Sequence, residues 1–205
     1  MSRLVTLFLA ALALTSVASA QVISTAPDQY QVHYFSNATL GDTINITNTG
    51  ASGGIEPTGN LCANVYAFDP SQEIISCCSC LITPNGLASL STLGDVLFNT
   101  LTGSIPSSIS VAIIGSQQAT CNPSTVTPGV LASGLRAWGT TLHVLPTVTP
   151  TAYTMTETEF SGSDLSLTEL IRLTSTCGFI QADASGYGLC NSCPESGAAG
   201  AAKKK

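Results

Sequence analysis

The sequence predicts a mainly β fold, a sandwich or barrel-like antiparallel sheet with one C-terminal α-helix, stabilised by disulfides. Short β-branched runs with period-two alternation recur between residues 21 and 158, and Gly, Pro, Asn and Ser separate them. Many short strands at this spacing favour a sandwich or barrel over alternating β and α units. An even set of eight cysteines and a single helical spacing of apolar residues near the C-terminus complete the pattern.

The first twenty residues have the three-part layout of a cleavable secretion signal. Arg3 supplies a positive charge, Leu4 to Leu14 are apolar, and Ala18 to Ala20 offer small side chains to the signal peptidase. The apolar run is shorter than the roughly 20 residues that cross a bilayer. We therefore expect an exported protein, in the periplasm, at the cell surface or outside the cell, with no transmembrane segment after cleavage.

The mature chain predicts one domain and a short tail. Residues 21–195 are expected to form a single β-rich, disulfide-bonded domain, and the Gly/Ala/Lys stretch at 196–205 is expected to be disordered. Charged residues are only 9% of the chain and the net charge is −6. Because nucleic acid binding needs clustered Lys and Arg, we expect no nucleic acid partner. Surface polymers, or further copies of the chain, are the expected partners.

Alternation identifies the clearest strands. It is regular at Ile44 to Thr47 and at Ile109 to Ile113, and it is less strict at Thr141 to Leu145. These segments are expected to place their apolar side chains on one face of a sheet.

One β-hairpin can be predicted in more detail. Leu61 to Phe68 and Gln72 to Cys78 have the composition of strands, and the residues between them favour a type I turn. If Asp69 faces Gln72, then Cys62 lies opposite Ser79, and a bulge would bring a neighbouring cysteine across from it.

The C-terminal third predicts an α-helix at about 167–177. Ser166 and Glu169 have the spacing of a capping box, apolar residues follow at helical spacing, and Gly178 is the expected end. A helical turn around Asp95 to Leu101 is a further prediction, with a strand as the alternative.

The cysteines are predicted to form a disulfide framework, since the chain is expected to leave the cytoplasm. On a strand, Cys77 must point away from Cys78 and Cys80. The preferred pairing joins Cys62 to Cys78 or Cys80 and ties at least one C-terminal cysteine back to the sheet. The disulfide candidates are Cys62, Cys77, Cys78, Cys80, Cys121, Cys177, Cys190 and Cys193.

Two alternatives use the cysteines differently. Cys78, Cys80, Cys190 and Cys193 could supply four thiolates to a zinc ion, although the first pair has CxC rather than CxxC spacing. The CxxC pair could also act in thiol redox chemistry, but it does not open a helix after a strand. The disulfide framework is preferred, and no cofactor is expected.

No catalytic residues are assigned. His33 and His143 each lie in an alternating segment, where His33 could face water, and no nucleophile elbow motif is present. Glu157 and Glu159 are expected on one face of an extended segment, where a solvated strand edge explains them better than glycosidic chemistry or calcium binding.

Aromatic residues and sequons suggest surface contacts. Tyr66 and Phe68 share a predicted strand face and, with Trp138, could form an aromatic platform for a ligand, although core packing is the default for such residues. Asn37 and Asn45 begin sugar-acceptor sequons, which predicts that their segments lie at the surface.

Three stretches carry a resemblance to other proteins. Residues Gly59 to Asp69, Ser76 to Gly86 and Ala137 to His143 resemble uncharacterised exported, Cys-rich bacterial proteins. The resemblance implies a bacterial extracytoplasmic setting and no particular chemistry.

The leading hypothesis is a non-enzymatic extracellular module that is structural, adhesive or binding. The first alternative is a secreted hydrolase acting on polysaccharide or peptide, for which a deep cleft joining a histidine to carboxylates would be the sign. The second alternative is a metal-binding or thiol-redox protein.

Overall fold

The computed structural model describes residues 21–145, 152–191 and Cys193. The predicted signal at 1–20 and the predicted tail at 196–205 lie outside these residues.

The predicted class is confirmed: antiparallel sheets dominate and one C-terminal helix packs on them. The strands are β1 (Val22–Ser24), β2 (Tyr30–Phe35), β3 (Thr43–Asn48), β4 (Leu61–Phe68), β5 (Ile74–Ile82), β6 (Leu87–Ser91), β7 (Ile109–Ser116), β8 (Leu135–Leu145), β9 (Ala152–Glu159), β10 (Ser161–Gly162) and β11 (Leu165–Ser166). The helix is α1 (Leu167–Ala182).

Two sheets form a sandwich. One sheet has the strand order β10-β2-β7-β4-β5 and the other has the order β6-β3-β8-β9. Between β2 and β10 the chain passes six times from one sheet to the other, and two of these connections are short: residues 83–86 after β5 and Phe160 after β9. Branched apolar side chains fill the space between the sheets, among them Ile44, Ile46, Val65 and Ile113. The alternation predicted for β3 is confirmed, because Ile44 and Ile46 are buried while their neighbours lie outward.

The helix forms a third layer on the outer side of the five-stranded sheet. A second core lies there, and it includes Tyr66 and Ile114 from the sheet with Leu173 and Ile180 from α1. β7 is therefore covered on both faces, which explains why nearly all of its side chains are buried.

The helix begins as predicted and ends later. The Ser166 hydroxyl accepts a hydrogen bond from the Glu169 N–H at 3.1 Å, as a capping residue should. The predicted end at residue 177 is wrong, since the helix continues through Gly178 to Ala182. Ile180 is completely buried in the second core, and this packing outweighs the low helix propensity of glycine. The predicted helical turn at Asp95 to Leu101 is displaced: one π-helical turn covers Thr92–Val96 and shares only Asp95 and Val96 with the predicted segment.

The β4–β5 hairpin is present, but its predicted register is wrong by two residues. Cys62 lies opposite Leu81, not Ser79. One residue of the difference comes from the turn, where Gln72 adopts a positive φ of 69° and Asp69 faces Glu73. The other comes from a bulge between Ala67 and Phe68.

Candidate functional site

Four disulfides use all eight cysteines. Three of them join β5 to the C-terminal region, which fulfils the expectation that this region is tied to the sheet. The pairs are Cys62–Cys121, Cys77–Cys177, Cys78–Cys190 and Cys80–Cys193.

The predicted bond from Cys62 to Cys78 or Cys80 is wrong because these sulfurs lie on opposite faces. Cys77 belongs to the core under the helix, whereas Cys78 and Cys80 pack against the core between the sheets, so the predicted alternation is confirmed. Cys62 alternates with Ala63 and lies on the helix side, where the loop carrying Cys121 covers it. The four sulfurs of the zinc alternative are bonded in two disulfides, so no thiolates remain there to bind a metal.

The disulfides also cover the free edge of β5. The Cys77 N–H donates to the Gly188 carbonyl at 2.9 Å, and Cys77 forms a parallel bridge with Leu189. The bonds at Cys190 and Cys193 continue along the same edge. The C-terminal segment is thus fixed beside β5 like an additional strand.

The two histidines occupy different environments on the same side of the four-stranded sheet. The His33 ring stacks on Phe160 at 4.8 Å between centroids and meets Phe35 edge-on, so it packs inward rather than facing water. Gly139 leaves room for it, because a Cβ at that position would collide with the His33 ring. His143 is exposed, and its Nε2 lies 3.0 Å from the Thr156 hydroxyl.

Asp42 is a buried carboxylate near both histidines, and it was not predicted from the sequence. Its Oδ1 accepts from the Leu142 N–H at 2.9 Å, while its Oδ2 has no hydrogen-bond partner among the described residues. Burial raises the pKa of Asp42, and the Leu142 N–H and both histidines oppose that rise. Burial lowers the pKa of His33, and Asp42 opposes that change. The carboxylate fixes the base of the β8–β9 hairpin.

The carboxylates of Glu157 and Glu159 lie on the other side of the sheet from the histidines. His143 is opposite Thr154 in the β8–β9 register and shares its face, and on β9 the residues at odd positions point the opposite way. Glu159 forms an ion pair with Arg136 at 3.0 Å, and both side chains are about half exposed. The structure therefore does not bring a histidine and these two carboxylates together.

The outer face of the four-stranded sheet carries a row of polar side chains around one tryptophan. Ser89, Asn45, Trp138 and Glu159 lie directly opposite one another on β6, β3, β8 and β9. The Ser89 hydroxyl donates to Asn45 Oδ1 at 2.6 Å, and Asn45 Nδ2 donates to Thr140 Oγ1 at 3.3 Å. Trp138 is partly exposed between Asn45 and Glu159. We call these four residues the Trp138 row.

The aromatic platform suggested by the sequence is not formed as a unit. Tyr66 is fully buried under the helix, and its hydroxyl donates to the Pro123 carbonyl at 2.6 Å. Phe68 packs against the same core and lies 5.2 Å from the Arg172 guanidinium. Trp138 lies on the other sheet, where its partly exposed ring could contact a ligand without Tyr66 and Phe68. The sequon residues Asn37 and Asn45 are both partly exposed.

In the part of the chain that the structure describes, no helix has the length and apolar character needed to cross a membrane. Over the same residues, no group of three His, Cys, Asp or Glu side chains is arranged to hold a metal ion. The four disulfides fit an extracytoplasmic protein.

Comparison with known proteins gives little further information. No protein-family model and no curated protein matches the chain. One solved structure, described as "Crystal Structure of Thermotoga maritima 1070", aligns with 65% of this chain and 97% of its own, at 13% identity and a TM-score of 0.37. A similarity at that TM-score does not establish a shared fold.

Proposed function

We propose that the chain is an exported, non-enzymatic binding module that holds hydroxyl-rich surface polymers, such as polysaccharides, on the outer face of its four-stranded sheet. The observation that carries the proposal is the Trp138 row, in which one indole lies between an amide and a carboxylate on an open sheet face.

The row has the chemistry that a sugar ring requires. The apolar C–H face of a sugar packs on an aromatic ring, as other flat apolar groups do. The amide of Asn45 can donate to and accept from the hydroxyls at the edge of the ring, and the carboxylate of Glu159 can accept from them. The next row of this face, which ends in Thr140 and Glu157, adds further hydrogen-bonding groups for a neighbouring sugar unit.

The arrangement of charges favours binding over hydrolysis. In glycosidases two carboxyl groups flank the bond that is cleaved. Glu157 and Glu159 project side by side from one strand, and Glu159 is neutralised by Arg136. The unpaired oxygen of Asp42 is buried and bonds to neither histidine, so no activated base is supplied on the face that carries the row.

The test is binding to insoluble polysaccharides by the oxidised mature protein. We expect retention of the native protein and about tenfold weaker retention of the Trp138→Ala variant, as for loss of a central aromatic contact. Tyr187→Ala is the matched control, since this exposed aromatic residue follows the helix and is not part of the sheet. Equal retention of native protein and Trp138→Ala would refute the proposal.

A parallel assay for released sugars or peptides tests the hydrolase hypothesis. Turnover that is lost on His143→Ala, or on changing both Glu157 and Glu159, would replace the binding function by a catalytic one.

A further inference from the structure

The β8–β9 hairpin extends beyond the rest of its sheet. β3 pairs with β8 only from Leu135 to Thr140, whereas β9 pairs with β8 as far as Leu145. The distal part of the hairpin is therefore two strands wide, and almost every side chain of β9 is exposed. Among the described residues β9 is also the last strand of its sheet, so no described strand lies along one of its edges.

The backbone groups on this edge can be assigned. The Phe160 N–H donates to the Ala137 carbonyl at 2.9 Å, so residues 137 and 160 form a hydrogen-bonded pair. Because such pairs alternate in an antiparallel ladder, even-numbered residues of β9 bond to β8. The N–H and C=O groups of Tyr153, Met155 and Glu157 consequently point outward, where an added strand could bind them.

The side chains of the distal hairpin make this edge suitable for contact between copies. Residues 140–145 and 152–156 contain no Asp, Glu, Lys or Arg, in a chain whose net charge is −6. Leu142 lies opposite Met155, and Val144 lies opposite Tyr153, all on the outer face. β9 also lacks the Lys and Pro residues that commonly protect exposed edge strands from pairing.

We propose that two copies of the chain associate through their β9 edges, in antiparallel register centred on Met155. Met155 of each copy then meets Met155 of the other, and Tyr153 lies opposite Glu157 of the second copy. The antiparallel orientation separates the four Glu157 and Glu159 carboxylates into two groups, whereas a parallel orientation would place like charges directly opposite. A single strand supplies both halves of the contact, as a twofold interface requires.

The association joins the two four-stranded sheets into one sheet of eight strands. Neighbouring antiparallel strands keep paired residues on the same face, so both Trp138 rows lie on one side of the dimer. This goes beyond the proposed function: a polymer long enough to reach both rows is held by two sites, and its apparent affinity exceeds that of either site.

The test is the oligomeric state in solution, measured by analytical ultracentrifugation of the oxidised protein without polysaccharide. We expect a concentration-dependent dimer. Met155→Lys and Met155→Glu each place like charges in contact across the twofold axis and should raise the dimer dissociation constant about tenfold or more. Mixing the two variants brings opposite charges together and should restore the dimer.

Phe179→Lys is the matched control. Phe179 is 69% exposed on the helix and Met155 is 70% exposed on β9, so the two substitutions change similarly accessible side chains. The proposal is overturned if the native protein stays monomeric to millimolar concentration, if the Met155 variants dimerise as well as the native protein, or if their mixture remains monomeric. Because polysaccharide is absent, these results are independent of the Trp138 test.

Discussion

The free edges of β5 and β9 are treated in opposite ways. The chain covers β5 with its own C-terminal segment, which a backbone hydrogen bond to Gly188 and disulfides at Cys190 and Cys193 hold in place. The part of the chain that the structure describes provides no such cover for β9, and the side chains of β9 are exposed on both faces. An edge that is covered contributes to the stability of the fold, whereas an edge left open is available to another chain. The difference is consistent with a structural role for the β5 side of the sandwich and with the binding role proposed for the β9 side.

The largest expected effect is removal of the β5 cover. Replacing Cys77, Cys78, Cys80 and their three partners with alanine should lower the free energy of unfolding by about 5 kcal/mol or more, because the longest loops are no longer closed. Urea unfolding under non-reducing conditions measures this change. A loss below about 2 kcal/mol would contradict the stabilising role of this edge.

The matched control removes only the Cys77–Cys177 bond. The two remaining bonds still hold the C-terminal segment against β5, so this change enlarges only a short loop and should cost about 3 kcal/mol. A loss of stability as large as that of the variant lacking all six cysteines would show that the other two bonds do not hold the C-terminal segment by themselves.

A second expected effect concerns amide exchange along β9. Thr154 and Thr156 donate toward β8, so their amides should exchange about tenfold or more slowly than those of Tyr153 and Glu157 when the protein is monomeric. Hydrogen exchange followed by NMR at low protein concentration measures the difference. At high concentration the outward amides should also become protected, and unchanged exchange there would count against pairing through β9.

The smallest expected effect is a pH dependence of the free energy of unfolding, which arises from His33 where it packs against Gly139 of β8. The folded-state pKa of His33 is lowered from 6.5, so the unfolded chain binds a proton more readily and stability falls as the pH drops below 6.5. Asp42, whose folded-state pKa is raised, changes the stability with pH in the opposite sense. Asp42 is present in both the native protein and the His33→Phe variant, so a comparison of these two proteins reports on His33.

His33→Phe keeps the ring packing and should show a smaller loss of stability between about pH 7.5 and pH 5.5 than the native protein. Urea midpoints at the two pH values measure this difference. Equal losses in the two proteins would show that His33 does not contribute to the pH dependence.

Secondary structure could be predicted from the sequence where the local sequence pattern and the burial in the fold agree. Alternation located β3 because Ile44 and Ile46 face a single core, and the Ser166 cap located the start of α1. Prediction from the sequence failed where tertiary packing determines the end of an element or the register of a strand pair. The end of α1 depends on the burial of Ile180, and the hairpin register depends on a positive φ at Gln72, a residue type that seldom signals one.

The Trp138 row could be predicted only in part. Alternation places Asn45 and Trp138 on outer faces, but their alignment with Ser89 and Glu159 requires the strand order, which joins β3 to β8 across almost ninety residues of sequence. Asp42 was missed because a single carboxylate beside a glycine gives no indication of burial. The cysteine pairs could not be chosen from spacing, since the faces that bear them are fixed by the same strand order.

The β5 disulfides also determine when the molecule can be completed. Ribosomes make the chain from its N-terminus, so the β5 thiols are formed 100, 112 and 113 residues ahead of the cysteines they finally bond. During that interval Cys62, Cys121 and the other β5 cysteines are the partners already present, and any bond that a β5 cysteine makes with them must later be exchanged. Native pairing is therefore expected to be completed only after Cys193 has been made, and an isomerase that reshuffles wrong bonds should raise the yield of native protein.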